Sequence, residues 1–264
     1  MLLDVNGTQL FVEDTGPGST GQTIVFSHGL LWDTSLFAPQ IAALRSKYRC
    51  IAWDHRGQGR SASDFRNCIG MELVSQDAIA LLEKLDPGPV HFAGLSMGGF
   101  VAMRVAARRP ELVRSLILIE TSADSEPIEN VKRYRTLTAV VRAIGPRLIA
   151  NRIAPIMLGR TILSDPNRKA EVATYTATMS QRKDIWRAVN GVVDRAPIYE
   201  ELRHIRTRTL VMVGDEDIAT PRPKAERLVA AIANARLEII PRAGHSSTVE
   251  EPTRVTAGVL EFLS

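Results

Sequence analysis

A chain of 264 residues, 45% of them hydrophobic and 23% charged, is long enough for one large α/β domain or for a domain that carries an insertion. The formal charge of +4 is scattered along the chain. Its densest groups, Lys132-Arg133-Tyr134-Arg135 and His204-Ile205-Arg206-Thr207-Arg208, lack the run of interleaved aromatics of a nucleic-acid platform and read as solvated faces. Cys50 and Cys68 are too few for a disulfide framework or a four-ligand zinc site, no run approaches the ~20 apolar residues of a membrane span, and Met1-Leu2-Leu3-Asp4 opens no basic leader, so a cytoplasmic protein with neither membrane nor nucleic-acid partner is expected.

Taken in chain order, two short alternating runs, Leu2–Val5 and Gln9–Val12, flank Asn6-Gly7, the strongest short-range signal for a β-hairpin. Beyond Gly21, short Val/Ile/Leu-rich runs at Thr23–Ser27, Cys50–Asp54, Val90–Ala93, Leu116–Ile119, Leu210–Val213 and Leu237–Ile240 read as strands covered on both faces. Helical patterns stand between and after them, at Phe37–Leu44, Glu72–Leu85, Phe100–Arg108, Pro223–Ala233 and Pro252–Phe262. This alternation argues a mainly parallel sheet, eight-stranded with the hairpin, flanked by helices. It breaks at residues 121–200, an Arg-rich helical stretch punctuated by Gly145-Pro146, Pro155, Gly159, Asp165-Pro166 and Pro197. That stretch reads as a helical cap inserted into a core of residues 1–120 and 201–264, and it would roof a site at the carboxyl ends of the strands.

The chemistry begins at Gly94-Leu95-Ser96-Met97-Gly98, placed between a strand and a helix as a nucleophile elbow requires. A serine hydroxyl needs a base to take its proton and a third group to orient that base, and in this arrangement the order along the chain is Ser, acid, His. Asp217 follows one strand in Gly214-Asp215-Glu216-Asp217, and His245 follows the last in Gly244-His245-Ser246. Ser27-His28-Gly29-Leu30 lies after the first buried strand, with Trp32 just beyond. No metal-ligand cluster and no phosphate-binding glycine loop is present, so neither metal nor cofactor is expected.

Together with Asp54-His55-Arg56-Gly57-Gln58-Gly59-Arg60-Ser61, these motifs resemble an α/β-hydrolase-fold serine hydrolase over nearly the whole chain. The branch is that of β-ketoadipate enol-lactonases, cofactor-free haloperoxidase/perhydrolases and small carboxylesterases. The resemblance implies an α/β-hydrolase fold with Ser96 as nucleophile, His245 as base and Asp217 as acid. Asp215 and Glu216 compete for the acid's place in the same loop, and Glu120 does so from the end of the preceding strand. It further implies an oxyanion hole from the backbone N–H groups of Leu30 and Met97, which leaves both side chains to shape the pocket wall. His28 then braces the loop, and Trp32 and Trp186 are candidate substrate-lining aromatics.

The expected activity is cleavage of a carboxylic ester or lactone, a small-molecule substrate, through an acyl-enzyme on Ser96. A C–C bond hydrolase and a perhydrolase/haloperoxidase share the same residues, and a small-ligand sensor on a hydrolase scaffold is the non-enzymatic alternative. The arginines of the cap could mark an acidic substrate or only solvated helix faces.

Overall fold

The computed structural model describes residues 1–264. In chain order its elements are β1 (Leu2–Val5), β2 (Thr8–Asp14), β3 (Thr23–Ser27), α1 (Ala38–Leu44), β4 (Arg49–Trp53), α2 (Met71–Leu85), β5 (Val90–Leu95), α3 (Met97–Arg108) and β6 (Val113–Ile119). Six helices follow without a strand: α4 (Ile128–Ile144), α5 (Ala150–Met157), α6 (Arg160–Ser164), α7 (Lys169–Met179), α8 (Trp186–Val193) and α9 (Tyr199–Leu202). The chain closes with β7 (Thr209–Gly214), α10 (Arg222–Ala231), β8 (Ala235–Ile240), α11 (Ser247–Glu250) and α12 (Pro252–Leu263).

The eight strands form one sheet in the order β1-β2-β4-β3-β5-β6-β7-β8. The β1–β2 and β2–β4 pairs are antiparallel and all others parallel, which is the mainly parallel sheet expected from the alternating pattern. Asn6 and Gly7 turn the hairpin with φ of +46° and +73°, the left-handed pair that a two-residue loop demands. Pleating sends successive strand residues to opposite faces. Phe92, Leu116, Leu118, Val211 and Val213 pack with α2, α3 and α10 on one side. Ala93, Leu95, Ile117, Ile119, Leu210 and Met212 pack with α1 and α12 on the other. Because both faces are covered, the central strands are mostly apolar, with polar residues such as His91, Arg114 and Ser115 near their amino ends.

Cys50 belongs to the second of these layers, and burial pushes its thiol up to about 12, as befits a small apolar filler. Residues of α4, α5 and α8 line a cavity that opens on Ser96, just beyond the carboxyl end of β5. None of the helices is long and apolar enough to cross a membrane.

Candidate active site

β5 delivers the chain to Ser96 and α3 carries it away, with Ser96 itself at φ +51° and ψ −112°. A non-glycine residue at such angles is strained and is held only by its surroundings. Those surroundings admit no side chain at the flanking glycines. A Cβ at Gly94 would stand 2.4 Å from Gly98 O, and one at Gly98 would stand 1.8 Å from Ser27 O. The strand, the helix and β3 therefore touch backbone to backbone, and the serine is projected at the mouth of the cavity.

The loops after β7 and β8 meet Ser96 there. His245 Nε2 lies 2.9 Å from Ser96 Oγ, and His245 Nδ1 lies 2.9 Å from Asp217 Oδ2. The backbone N–H groups of Ala219 (2.8 Å) and Thr220 (3.0 Å) fix the other oxygen, Oδ1, and the Thr220 hydroxyl (2.6 Å) donates to Oδ2 beside His245. Burial works to raise the Asp217 pKa, but His245 and these donors outweigh it and hold the carboxyl well below the usual range. An ionised Asp217 accepts from Nδ1–H, which leaves Nε2 as the acceptor for the Ser96 hydroxyl proton.

The competing carboxylates are occupied elsewhere. Asp215 accepts the backbone N–H of Arg242, and Glu216 ties the β7 loop to Thr161 and Arg160 at the start of α6. Glu120 is fully buried at φ +46° and accepts the Gly214 N–H through both oxygens, at 2.9 and 3.0 Å. Burial and the neighbouring Asp217 charge raise the Glu120 pKa well above the ordinary value, which favours the protonated form of this carboxyl behind Asp217.

Leu30 and Met97 stand beside Ser96, but only one of the two side chains reaches the pocket wall as expected. Gly29 packs against Leu95 and Ser96, which brings the following peptide alongside the elbow. Leu31 and Trp32 donate their N–H groups to Gln58 Oε1 and Gly29 O, whereas Leu30 N–H has no acceptor in the chain. Met97 opens α3, so its N–H has no partner one turn back. The Leu30 side chain lines the cavity, but the Met97 side chain is core, where its sulfur meets Gln58 Nε2 at 3.5 Å.

His28 is the expected brace. Its Nδ1 lies 2.7 Å from Gly29 O and its Nε2 accepts the His55 N–H at 3.0 Å, a pattern that fits only the neutral Nδ1–H ring. Burial lowers the pKa of His28 accordingly. A buried brace with no sequence signature sits beneath His245. Glu250 accepts the N–H groups of Gly159, Gly244 and Ser246 and so holds the histidine loop against the start of α6.

The tryptophans correct the sequence reading, for neither lines the cavity on Ser96 and His245. Trp32 is 2% exposed, packs in the core beside Tyr175 and donates Nε1–H to Ser246 Oγ at 3.2 Å. Trp186 lies on the outer side of α8 with the guanidinium groups of Arg142 and Arg187 at 5.1 and 4.5 Å from its ring. An indole is large enough to serve as structure in either place, and only the packing of distant segments selects which. The cavity that does open on Ser96 and His245 measures about 140 Å³, and its walls are mainly aliphatic: Leu137, Val141, Ile149, Ile153 and Val189 come from the helices above. Most arginines of this region do structural work. Arg182 caps the carbonyls of Gly59 and Ser61, and Arg187 those of Phe65 and Arg66. Arg195 alone lines the cavity, together with its partner Glu126.

Residues 24–259 match the alpha/beta hydrolase family. Among its relatives, the provisionally named carbamate hydrolase RutD of Caulobacter sp. (strain K31) is 29% identical over 251 residues, covering 94% of this chain and 93% of that protein. The structure of a thermophilic esterase from Thermogutta terrifontis superposes with a TM-score of 0.91 at 27% identity, covering 100% of this chain and 98% of that one. The enol-lactonase of Burkholderia xenovorans LB400 superposes with a TM-score of 0.90 at 27% identity, covering 100% and 99%.

Proposed function

The chain belongs to the alpha/beta hydrolase family, and from that premise we propose that it is a serine hydrolase that cleaves a carboxylic ester or lactone through an acyl-enzyme on Ser96. The observation that carries this reading is the contact of Ser96 Oγ with His245 Nε2 at 2.9 Å, continued from Nδ1 to Asp217 Oδ2 at 2.9 Å. In the first half-reaction Ser96 Oγ attacks the substrate carbonyl and passes its proton to Nε2. Asp217 keeps the ring in the right tautomer and offsets the charge it acquires. The N–H groups of Leu30 and Met97 receive the developing oxyanion, and Nε2–H returns the proton to the leaving oxygen. Water, deprotonated by the same nitrogen, then attacks the acyl carbonyl and frees Ser96. The names of the esterase and enol-lactonase neighbours support the substrate class. Carbamate cleavage, suggested by the name of the RutD relative, would use the same attack on a carbonyl. The aliphatic cavity favours a substrate with a larger apolar part than a simple carbamate offers.

The test is turnover of p-nitrophenyl acetate, hexanoate and dodecanoate by the purified protein and by Ser96→Ala. The expected result is a preference for hexanoate and a loss of several orders of magnitude in kcat in the variant. Equal turnover by the variant would overturn the proposal.

A further inference from the structure

The cavity above Ser96 is largely apolar, but its wall includes a charged couple that no step of ester cleavage requires. Arg195 and Glu126 both line it. Their side chains are only 3% and 9% exposed, and Arg195 Nη1 meets Glu126 Oε2 at 2.9 Å. Glu126 is fully engaged, since its Oε1 accepts the Asn130 side-chain N–H at 2.9 Å. Arg195 is not. Nε donates to Asp124 O at 2.9 Å, and Nη1 donates to Val192 O at 2.7 Å as well as to Glu126. Nη2 has no acceptor in the chain.

This nitrogen is not one of the sealed, partnerless polar atoms of the interior, so it is open to a ligand, and a guanidinium offers fixed, directed N–H groups. The plane of this one is held at 4.4 Å over the ring of Phe100, which also lines the cavity. Phe100 lies one turn of α3 beyond Ser96, about 6 Å along the helix axis. The guanidinium thus stands in the cavity wall over Phe100, one helical turn beyond the elbow, anchored by three acceptors with its remaining nitrogen unused.

Resting on the hydrolase reading above, we propose that Arg195 Nη2 is a specificity determinant that receives an uncharged oxygen acceptor, a carbonyl, ether or hydroxyl, borne at the far end of an apolar substrate arm. Two quantities shape the class of substrate. The cavity volume of about 140 Å³ is close to that of an engineered apolar cavity that holds one benzene ring, so the arm is about six carbons long or a single ring. Glu126 already neutralises the guanidinium, so the couple offers donors without net charge, and a substrate carboxylate would meet the Glu126 carboxylate. The substrate is therefore amphipathic and uncharged: an ester or lactone with an oxygenated tail, not a dicarboxylate and not a plain fatty acyl ester.

The test compares matched pairs in which only the tail differs. On the acyl side these are p-nitrophenyl hexanoate, 5-oxohexanoate and the p-nitrophenyl monoester of adipic acid, and on the alcohol side hexyl acetate and 5-oxohexyl acetate. The expected result is a kcat/KM about tenfold or more in favour of the oxo compound in one of the two series, with the adipate monoester the poorest of its set. Removing both charges together in Arg195→Met/Glu126→Leu avoids stranding one of them and should bring the oxo and plain esters within about twofold of each other. Equal turnover of oxo and plain tails in both series by the wild-type protein overturns the proposal, as does a preference for the adipate monoester. The wild-type comparison decides the matter even if the double variant does not fold. Ser96-dependent turnover of all these esters without discrimination would leave the hydrolase reading standing and remove only the role of Arg195. Absence of Ser96-dependent turnover altogether would remove the hydrolase reading itself.

Discussion

Asp217→Asn separates the two carboxylates that stand behind His245. The asparagine carbonyl can take the place of Oδ1, which accepts the N–H groups of Ala219 and Thr220, so the loop keeps its backbone anchors. The amide nitrogen then takes the place of Oδ2 and presents a donor to His245 Nδ1 and to the Thr220 hydroxyl, where an acceptor stood at 2.9 and 2.6 Å. To meet that donor, Nδ1 must become the acceptor, and the ring proton moves to Nε2, facing Ser96 Oγ at 2.9 Å. A protonated Nε2 cannot take the serine proton. In the serine protease template this tautomer error costs about 10⁴ in kcat, which corresponds to about 5.5 kcal/mol of barrier. Stability should suffer much less, by about 1–3 kcal/mol for the mispaired side-chain contacts. The assay is kcat for p-nitrophenyl hexanoate, with circular dichroism melting of the same preparation. A variant that melts near the wild type and keeps more than about a tenth of its activity would refute the reasoning, since a cost of about 10⁴ is expected. That outcome would mean that Glu120, buried behind Asp217, orients the histidine.

Glu120→Gln tests the protonated form of that carboxyl directly. A carboxyl whose folded pKa is raised keeps a proton that the unfolded chain gives up above about 4.3. Its contribution to stability is complete below that pH and is lost as pH rises through the folded value. Glutamine has no such loss, so its Tm relative to the wild type should rise between pH 5 and pH 8, and an unchanged difference would mean that Glu120 is ionised in the fold. Gly98→Ala should cost about 3 kcal/mol or more, because its Cβ would stand 1.8 Å from the Ser27 carbonyl and neither α3 nor β3 can yield without moving the elbow. A urea midpoint equal to that of the wild type would show that this approach is not tight.

The sequence by itself determined the parts of the protein that rest on neighbours in the chain. The turn at Asn6-Gly7, the two-faced strands and the glycines around Ser96 are legible because each answers a steric or periodic demand within a few residues. The order of Ser96, Asp217 and His245 follows from their places beyond the ends of the parallel strands β5, β7 and β8. The tertiary structure decided what depends on which face of a helix or loop meets a distant one. It brought Asp217 to His245 Nδ1, turned Asp215 and Glu216 to Arg242 and Thr161, and put Glu120 behind Asp217. It also placed Trp32 and Trp186 away from the cavity, buried the Met97 side chain in the core, and brought Arg195 and Glu126 into the cavity wall. These two residues stand 69 positions apart and belong to no motif. Side chains of the helices between β6 and β7 can be core, surface or cavity wall with the same composition, and only the packing of those helices on one another and on the sheet selects among the three.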